Sequence, residues 1–544
     1  MVDLFLRQMS SLEKVFLNAL PENNNYSNAS VLKGEEFSYQ IAFWADERVY
    51  LKVRAETAAE CEISLFEVGN VSSELPAYKD RKDDNYITIE PGLFPDVLSP
   101  IENKSEIIAH KFYRSLWVSI KVSEKAPSGD YTIKLIFENE NICKTAEFNL
   151  HVINAVLPKQ KLIFTQWMHT DCIASHYNFE VFSDEYWSMT EKFIKMAVNH
   201  GINMMLTPIF TPPLDTVVGG ERLTVQLVSV FKNDEKYSFD FSNLKKWIDI
   251  CKAAGVEYYE MAHLFTQWGA EFTPKIMAVE NGELKRIFGW DVRAESDEYK
   301  NFTAQLLPQL VSFLKEEKIA GKTVFHISDE PHGQAHMEQY KKAKGVVYEH
   351  IKDFKIMDAL SEYKLYEEGI VENPIPGSNT IEPFLENKHP DDLWTYYCCS
   401  QCVDVSNRFI AMPSARNRII GFQLYKYDIA GFLHWGYNFY YSQYSKRKIN
   451  PYLITDADGI FPSGDAFSVY PGCDGPEASL RLKVFYHAIQ DMSAFELLEE
   501  LAGKERVIAI IEENEKITFK AYPKDSEYIL NVRERVNREI EKLI

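Results

Sequence analysis

From Lys159 onward the chain keeps repeating one unit: a helical run, a glycine, then a short apolar run. Phe193 to His200 passes through Gly201 into Ile-Asn-Met-Met-Leu, and Leu244 to Ala254 passes through Gly255 into Val-Glu-Tyr-Tyr-Glu-Met. Phe302 to Ala320 passes Gly321 and reaches Thr323-Val-Phe-His-Ile. Glycine accepts the left-handed backbone that closes a helix. A strand that follows each helix points to a parallel sheet, because parallel neighbours need a crossover long enough to hold a helix. The strand candidates are Leu162–Met168, Asn203–Pro208, Val256–Met261, Thr323–Ser328, Lys355–Leu360, Thr380–Phe384, Leu393–Tyr397 and Ile429–Trp435. Eight of them in about 280 residues predict a (β/α)8 TIM barrel.

The texture before Lys159 is different. Phe37, Tyr39, Ile41 and Phe43 alternate with polar neighbours. So do Tyr50-Leu-Lys-Val-Arg, Leu116-Trp-Val-Ser-Ile-Lys-Val and Tyr131-Thr-Ile-Lys-Leu-Ile-Phe, with the turn Ala126-Pro-Ser-Gly-Asp before the last of these. Short alternating strands with turn punctuation predict a β-sandwich, and Val152 to Pro158 reads as its last strand and exit. The expected organisation is a sandwich over residues 1–158, a barrel over 159–500, and a tail over 501–544 packing on the barrel. The tail reads as helical from about Glu477, with a hairpin or loop near Val507–Tyr522.

The formal net charge of −21 works against nucleic acid and anionic membrane as bulk partners. Met1 to Ser10 has no basic segment followed by an apolar one, and no apolar run reaches the ~18 residues of a membrane span. The eight cysteines are scattered apart from Cys398, Cys399 and Cys402. Cys399-Ser-Gln-Cys402 has no second pair or nearby histidine to complete a zinc set. These features predict a cytoplasmic protein with reduced thiols, no metal and no cofactor. Tyrosine (30 residues) and tryptophan (9) can stack on the apolar face of a sugar and bond its rim, which suits carbohydrate.

In a barrel the chemistry collects at the C-terminal strand ends. The first strand ends in Trp167-Met-His-Thr-Asp171 and the third runs into His263-Leu-Phe-Thr-Gln-Trp268. The seventh contains Tyr396-Tyr397, and the eighth gives His434-Trp-Gly-Tyr-Asn-Phe-Tyr440. The fourth reads Thr323-Val-Phe-His-Ile-Ser-Asp-Glu-Pro331 and ends in adjacent carboxylates, Asp329 and Glu330. Two acids desolvated together push their pKa values apart, giving an acid and a charged stabiliser. Isolated, such a pair is most simply a solvated turn; the aromatic and histidine clusters around it argue otherwise. Neither a glycine-rich phosphate loop nor an H-E-x-x-H metal spacing occurs.

Glycosidases usually hold two carboxylates on either side of the bond. Consecutive strand residues point to opposite faces, so Asp329 and Glu330 share a pocket only where the strand bends, as Pro331 suggests. Adjacent acids fit substrate-assisted hydrolysis better. There the sugar's 2-acetamido oxygen is the nucleophile, and the protein supplies a general acid/base and a carboxylate to orient the acetamido N–H.

The region from about Lys161 to Glu500 resembles the catalytic domain of glycoside hydrolase family 123, the β-N-acetylgalactosaminidases. The matching segments are Trp167-Met-His-Thr-Asp-Cys-Ile-Ala174, Phe265-Thr-Gln-Trp-Gly269 with Pro274-Lys-Ile, Ser328-Asp-Glu-Pro331, Trp394-Thr-Tyr-Tyr-Cys398 and Gly431-Phe-Leu-His-Trp-Gly-Tyr-Asn438. The resemblance implies a retaining exo-glycosidase acting on a glycan or glycolipid oligosaccharide that ends in β-linked N-acetylgalactosamine. Glu330 would be the acid/base, Asp329 the holder of the acetamido group, and Trp435 an aromatic wall. His169, Asp171, Trp268, Tyr397 and Asn438 are its further pocket candidates; His263 and Tyr437 join them from the strand-end clusters.

Two other functions compete. Retaining barrel β-glycosidases carry Asn-Glu-Pro at strand four, one residue from Asp329-Glu330-Pro331, but need a carboxylate nucleophile on strand seven. Leu393 to Cys399 contains no acid. The other is a non-catalytic glycan-binding protein, against which the intact acid pair argues.

Overall fold

The computed structural model describes residues 2–20, 22, 25–101 and 106–544. Its centre is a nearly closed barrel of eight parallel strands. In chain order these are Ile163–Gln166, Met204–Thr207, Tyr258–Met261, Thr323–Phe325, Lys355–Leu360, Asn373–Pro376, Trp394–Tyr396 and Gly431–His434. Sequence neighbours pair along a ladder except the sixth and seventh, which form the open edges, and the eighth pairs with the first from Ile163↔Gly431 to Gln166↔His434.

Seven strands fall within their expected segments; the sixth does not. Thr380–Phe384 carries Pro383 and enters a short helix, Glu382–Glu386. Proline is welcome in a first helical turn. The sixth strand is instead Asn373-Pro-Ile-Pro376, which pairs with Met357–Leu360. Its two prolines have no N–H to donate. The ring therefore closes toward the seventh strand by other bonds: Ser378 N–H to Tyr396 O at 2.8 Å, and Thr395 Oγ1 to Pro376 O at 2.8 Å.

Serine caps begin the flanking helices. Ser183 and Ser296 accept from the backbone N–H of Tyr186 and Tyr299, opening Asp184–Val198 and Asp297–Glu316. Gly255 closes Ser242–Ala254 at φ 100° with its N–H on Cys251 O, and Gly201 turns the preceding unit at φ 82°. Gly321 behaves differently. It sits in a 3-10 turn, and Lys318, at φ 60°, makes the left-handed step after Asp297–Glu316.

The N-terminal region forms two five-stranded sheets. One contains Glu36–Ala45 and Arg114–Val122; the other contains Val49–Glu56, Gly129–Glu138 and Cys143–Val156. They share a core in which Tyr39 stacks on Phe148 with ring centroids 4.2 Å apart. Arg481 pairs with buried Asp96 at 2.9 Å and so joins this region to the helix Leu480–Ala502. That helix runs across position 500, and the tail continues as Lys504–Ile511 and Ser526–Leu543. Val507, expected in a hairpin or loop, is therefore helical. A four-stranded sheet, Ser229–Asn233, Lys236–Asp240, Ile276–Glu280 and Glu283–Phe288, is inserted after the second and third barrel strands. Among the described residues no helix is long and apolar enough to cross a membrane.

Candidate active site

The fourth strand ends its ladder at Phe325, and the chain beyond is held by single bonds. Asp329 O accepts from Trp268 N–H at 2.8 Å, and Glu330 N–H donates to Ala359 O at 3.2 Å. Glu330 itself lies at φ 46°, the left-handed region, immediately before Pro331. For a non-glycine residue that backbone costs on the order of 1–3 kcal/mol. It turns the second acid back, so that Asp329 and Glu330 line the same pocket.

The remaining lining comes from other strand ends and two loops. Trp167, Gln267, Ala359, Tyr396 and Trp435 contribute, with Leu214 and Asp215 from the loop after strand two and Phe461 from the segment after strand eight. Tyr396 Oη donates to Glu330 Oε1 at 2.5 Å. Trp435 is half-buried, its Nε1 donating to Asp465 Oδ2 at 2.9 Å and its ring edge-on to Phe439 and Phe461.

Of the ten residues singled out by sequence, Asp329, Glu330 and Trp435 line this pocket. Trp268 is beside it, half-buried, holding Asp329 by its backbone and meeting Tyr444 edge to face at 5.9 Å. The other six are buried outside the lining. Asp171 binds Arg222 through both oxygens, at 2.9 and 2.6 Å. Arg222 also donates to Leu214 O at 3.0 Å and to His169 Nδ1 at 3.0 Å. His169 has its other nitrogen 2.9 Å from Trp435 O, while Asn438 brackets the His169 backbone at 2.8 and 3.1 Å. Burial, then the Arg222 charge, lowers the His169 pKa to about 3, so it is neutral and donates from Nε2. These three residues brace the wall rather than form it.

Tyr397 and Tyr437 bond Asn417 and the Phe193 carbonyl, on the outer side of the barrel. Alternation explains the first: Trp394, Tyr396 and Cys398 belong to the interior cluster, so Tyr397 must face out. Applied to strand seven, that rule says from the sequence that only one of Tyr396 and Tyr397 can face in, and the interior cluster shows it to be Tyr396. Asp215 and Gln267 carried no comparable signal.

Beneath the acid pair is a buried charged network. His326 Nε2 is 3.0 Å from Glu260 Oε2, and its Nδ1 is 2.5 Å from Met357 O and 3.6 Å from Asp358 Oδ1. Burial alone would lower the His326 pKa, but bonds to Asp358 and Glu260 outweigh it and raise the value to about 10. Glu260 also accepts from Thr165 Oγ1 and Trp167 Nε1, and Asp358 accepts from Tyr340 Oη at 2.6 Å. His263 stacks on His326 at 4.6 Å. His263, His326 and Asp358 bring ligand atoms within 4.8 Å of one another, but both His326 nitrogens are engaged by acceptors and leave no lone pair for a metal.

Burial, then the charges of Glu330, Asp358 and Asp215, pushes Asp329 well above the usual carboxylate range. Burial pushes Asp215 up to about 6, against its bond from Tyr444 N–H. The pocket thus holds three carboxyl groups, of which Asp329 and Asp215 are raised above the usual carboxylate range, beside an aromatic wall and a phenol.

The model for the catalytic domain of glycoside hydrolase 123 matches residues 167–498. Among solved structures, a family 123 glycoside hydrolase from Clostridium perfringens, reported in a study of glycolipid glycan hydrolysis, aligns with a TM-score of 0.71 at 16% identity, over 99% of this chain and 97% of that one. A β-glucuronidase from Parabacteroides merdae aligns at a TM-score of 0.31 and 11% identity, over 91% of this chain and 52% of that one. No curated protein sequence matches significantly.

Proposed function

The chain belongs to glycoside hydrolase family 123 and is a glycoside hydrolase; from that premise we propose that it releases terminal β-linked N-acetylgalactosamine, with retention, by substrate-assisted catalysis. The observation that carries this is the left-handed backbone of Glu330, which turns adjacent acids into one pocket while strand seven offers Tyr396 instead of a carboxylate.

In this mechanism the acetamido oxygen attacks C1 as the bond from C1 to the leaving oxygen breaks. Glu330 gives its proton to that oxygen, and Asp329 accepts from the acetamido N–H and balances the oxazolinium charge. Water then attacks C1, Glu330 takes its proton, and the acetamido group is restored. The raised pKa of Asp329 fits a pair that shares one proton. An arriving N–H donor favours ionised Asp329 and leaves that proton for Glu330.

Asp215 is a third carboxyl in the pocket and the natural nucleophile for an enzyme that does not use its substrate. Comparing p-nitrophenyl β-N-acetylgalactosaminide with the β-galactoside separates the two mechanisms. Cleavage of only the acetamido sugar, inhibited by a thiazoline mimic of the oxazoline, supports the proposal; equal cleavage of both sinks it.

We read the architecture as a β-sandwich over 1–158, a (β/α)8 barrel over 159–500 and a tail over 501–544. The unpaired cysteines support a reducing, cytoplasmic setting.

A further inference from the structure

Two polar atoms in the pocket wall are unspent. Asp215 Oδ2 accepts from Tyr444 N–H at 2.9 Å, while Oδ1 has no partner among the described residues. Gln267 Oε1 accepts from Asp215 N–H at 2.7 Å, while its Nε2 is buried without a partner. Gln267 is only 5% exposed, and both residues line the pocket with Asp329 and Glu330. An amide donor left unpaired in a wall costs stability that a bound ligand can return.

The two are also fixed in place. Asp215 sits at φ 41°, with its carbonyl accepting from Ser445 Oγ at 2.7 Å. Arg222, locked to Asp171, grips the neighbouring Leu214 carbonyl at 3.0 Å. The pinned loop thus brings an unpaired acceptor, and Gln267 from beyond strand three an unpaired donor, to one pocket wall, the two residues joined through the Asp215 N–H. A hydroxyl donates once and accepts, so one acceptor and one donor together match a single hydroxyl group.

We propose that Asp215 and Gln267 form a clamp that reads one ring hydroxyl of the sugar and so sets which sugars are hydrolysed. The clamp rests on the mechanism proposed above. There Glu330 serves the bond at C1 and Asp329 the acetamido group at C2, so the hydroxyl read is at C3, C4 or C6. A half-buried carboxylate and a buried amide reject an analogue that leaves them unpaired far more strongly than an apolar wall could.

The test uses the full chain with Asp215→Asn and Gln267→Met, assayed on an aryl β-N-acetylgalactosaminide and its 3-, 4- and 6-deoxy analogues. Thermal melting confirms that each variant folds, and the second variant carries the test if the first does not. The expected result is a loss in kcat/KM of about 10- to 100-fold on the parent sugar. One deoxy analogue is then hydrolysed by wild type and variant at equal rates, because mutation and deoxygenation remove the same contact. The same fold-loss on every analogue overturns the clamp. The β-galactoside tests the underlying mechanism in the same plates: if the variant still cleaves only acetamido sugars, the clamp alone has failed. Abolished turnover that added azide restores as a glycosyl azide makes Asp215 a nucleophile and overturns both.

Discussion

Tyr396 holds Glu330: its hydroxyl donates to Oε1 of the acid at 2.5 Å, across the pocket from strand seven to the end of strand four. The bond spends one oxygen of Glu330 and leaves the other for a proton in transit. It also counters the tendency of a left-handed glutamate to relax. Tyr396→Phe should fold, with a stability loss of about 1 kcal/mol, and should lower kcat by roughly tenfold with KM little changed. Steady-state kinetics beside a urea melt check this; unchanged kcat would make the bond incidental.

Glu330→Gln should abolish turnover of substrates with poor leaving groups while sparing activated aryl glycosides in part, since general acids supply roughly 10²–10⁴-fold. Asp329→Asn should lose most activity on every substrate. Asp329 is pushed above the usual carboxylate range by burial and its acidic neighbours. The alkaline limb of kcat/KM, where the pair loses its shared proton, should therefore lie above that range in the wild type and should shift in a pH–rate profile of Asp329→Asn. Near-normal rates in that variant would remove Asp329 from the mechanism.

Asp215 should trade stability for function. Its pKa of about 6 exceeds the unfolded value of 3.8. Between those two pH values the folded state binds more protons, so stability falls as pH rises, and above 6 the full penalty applies. Asp215→Asn should be more stable than wild type above that point, by on the order of 1–3 kcal/mol, and indistinguishable at low pH. Urea midpoints from pH 3.5 to 8 read the difference, and a pH-independent difference would deny the ionisation.

His326 has the opposite sign. Its pKa is raised from 6.5 to about 10 by Asp358 and Glu260 against burial. Its contribution is whole below 6.5 and is lost as pH climbs toward 10. Breaking such a buried pair by His326→Gln should cost about 3–5 kcal/mol at neutral pH and flatten the wild type's decline on the alkaline side. Subtracting the variant's curve removes other titrating groups, including buried Lys14, whose pKa is lowered to about 7.

The barrel was legible because helix, glycine and apolar run recur, and the acid pair because strand four ends on it. Strand six was not: Asn373-Pro-Ile-Pro376 has the chemistry of a loop and becomes a strand only by lying along Met357–Leu360. At the site, residue type was a good guide and side was not. Tyr396 and Tyr397 are equivalent as composition, and only the pleat separates them. His169, Asp171 and Asn438 belong to the site's support, which a list of polar strand-end residues cannot tell from its surface. Asp215 follows Thr211-Pro-Pro-Leu214, a stretch that announces a turn and nothing more. Its partners Gln267 and Tyr444 are distant in the chain, so only the folded loop joins them.

A cylinder stitched mostly by backbone ladders, but beside the sixth strand by a single backbone bridge at Gly377 and Tyr396 and a threonine hydroxyl, has a tear line. The stitch lies next to Tyr396, so parting it would draw the phenol away from Glu330 while leaving Trp435, on the well-laddered eighth strand, in place. The prolines of one short strand thus make the acid's alignment a gauge of whether the ring is shut.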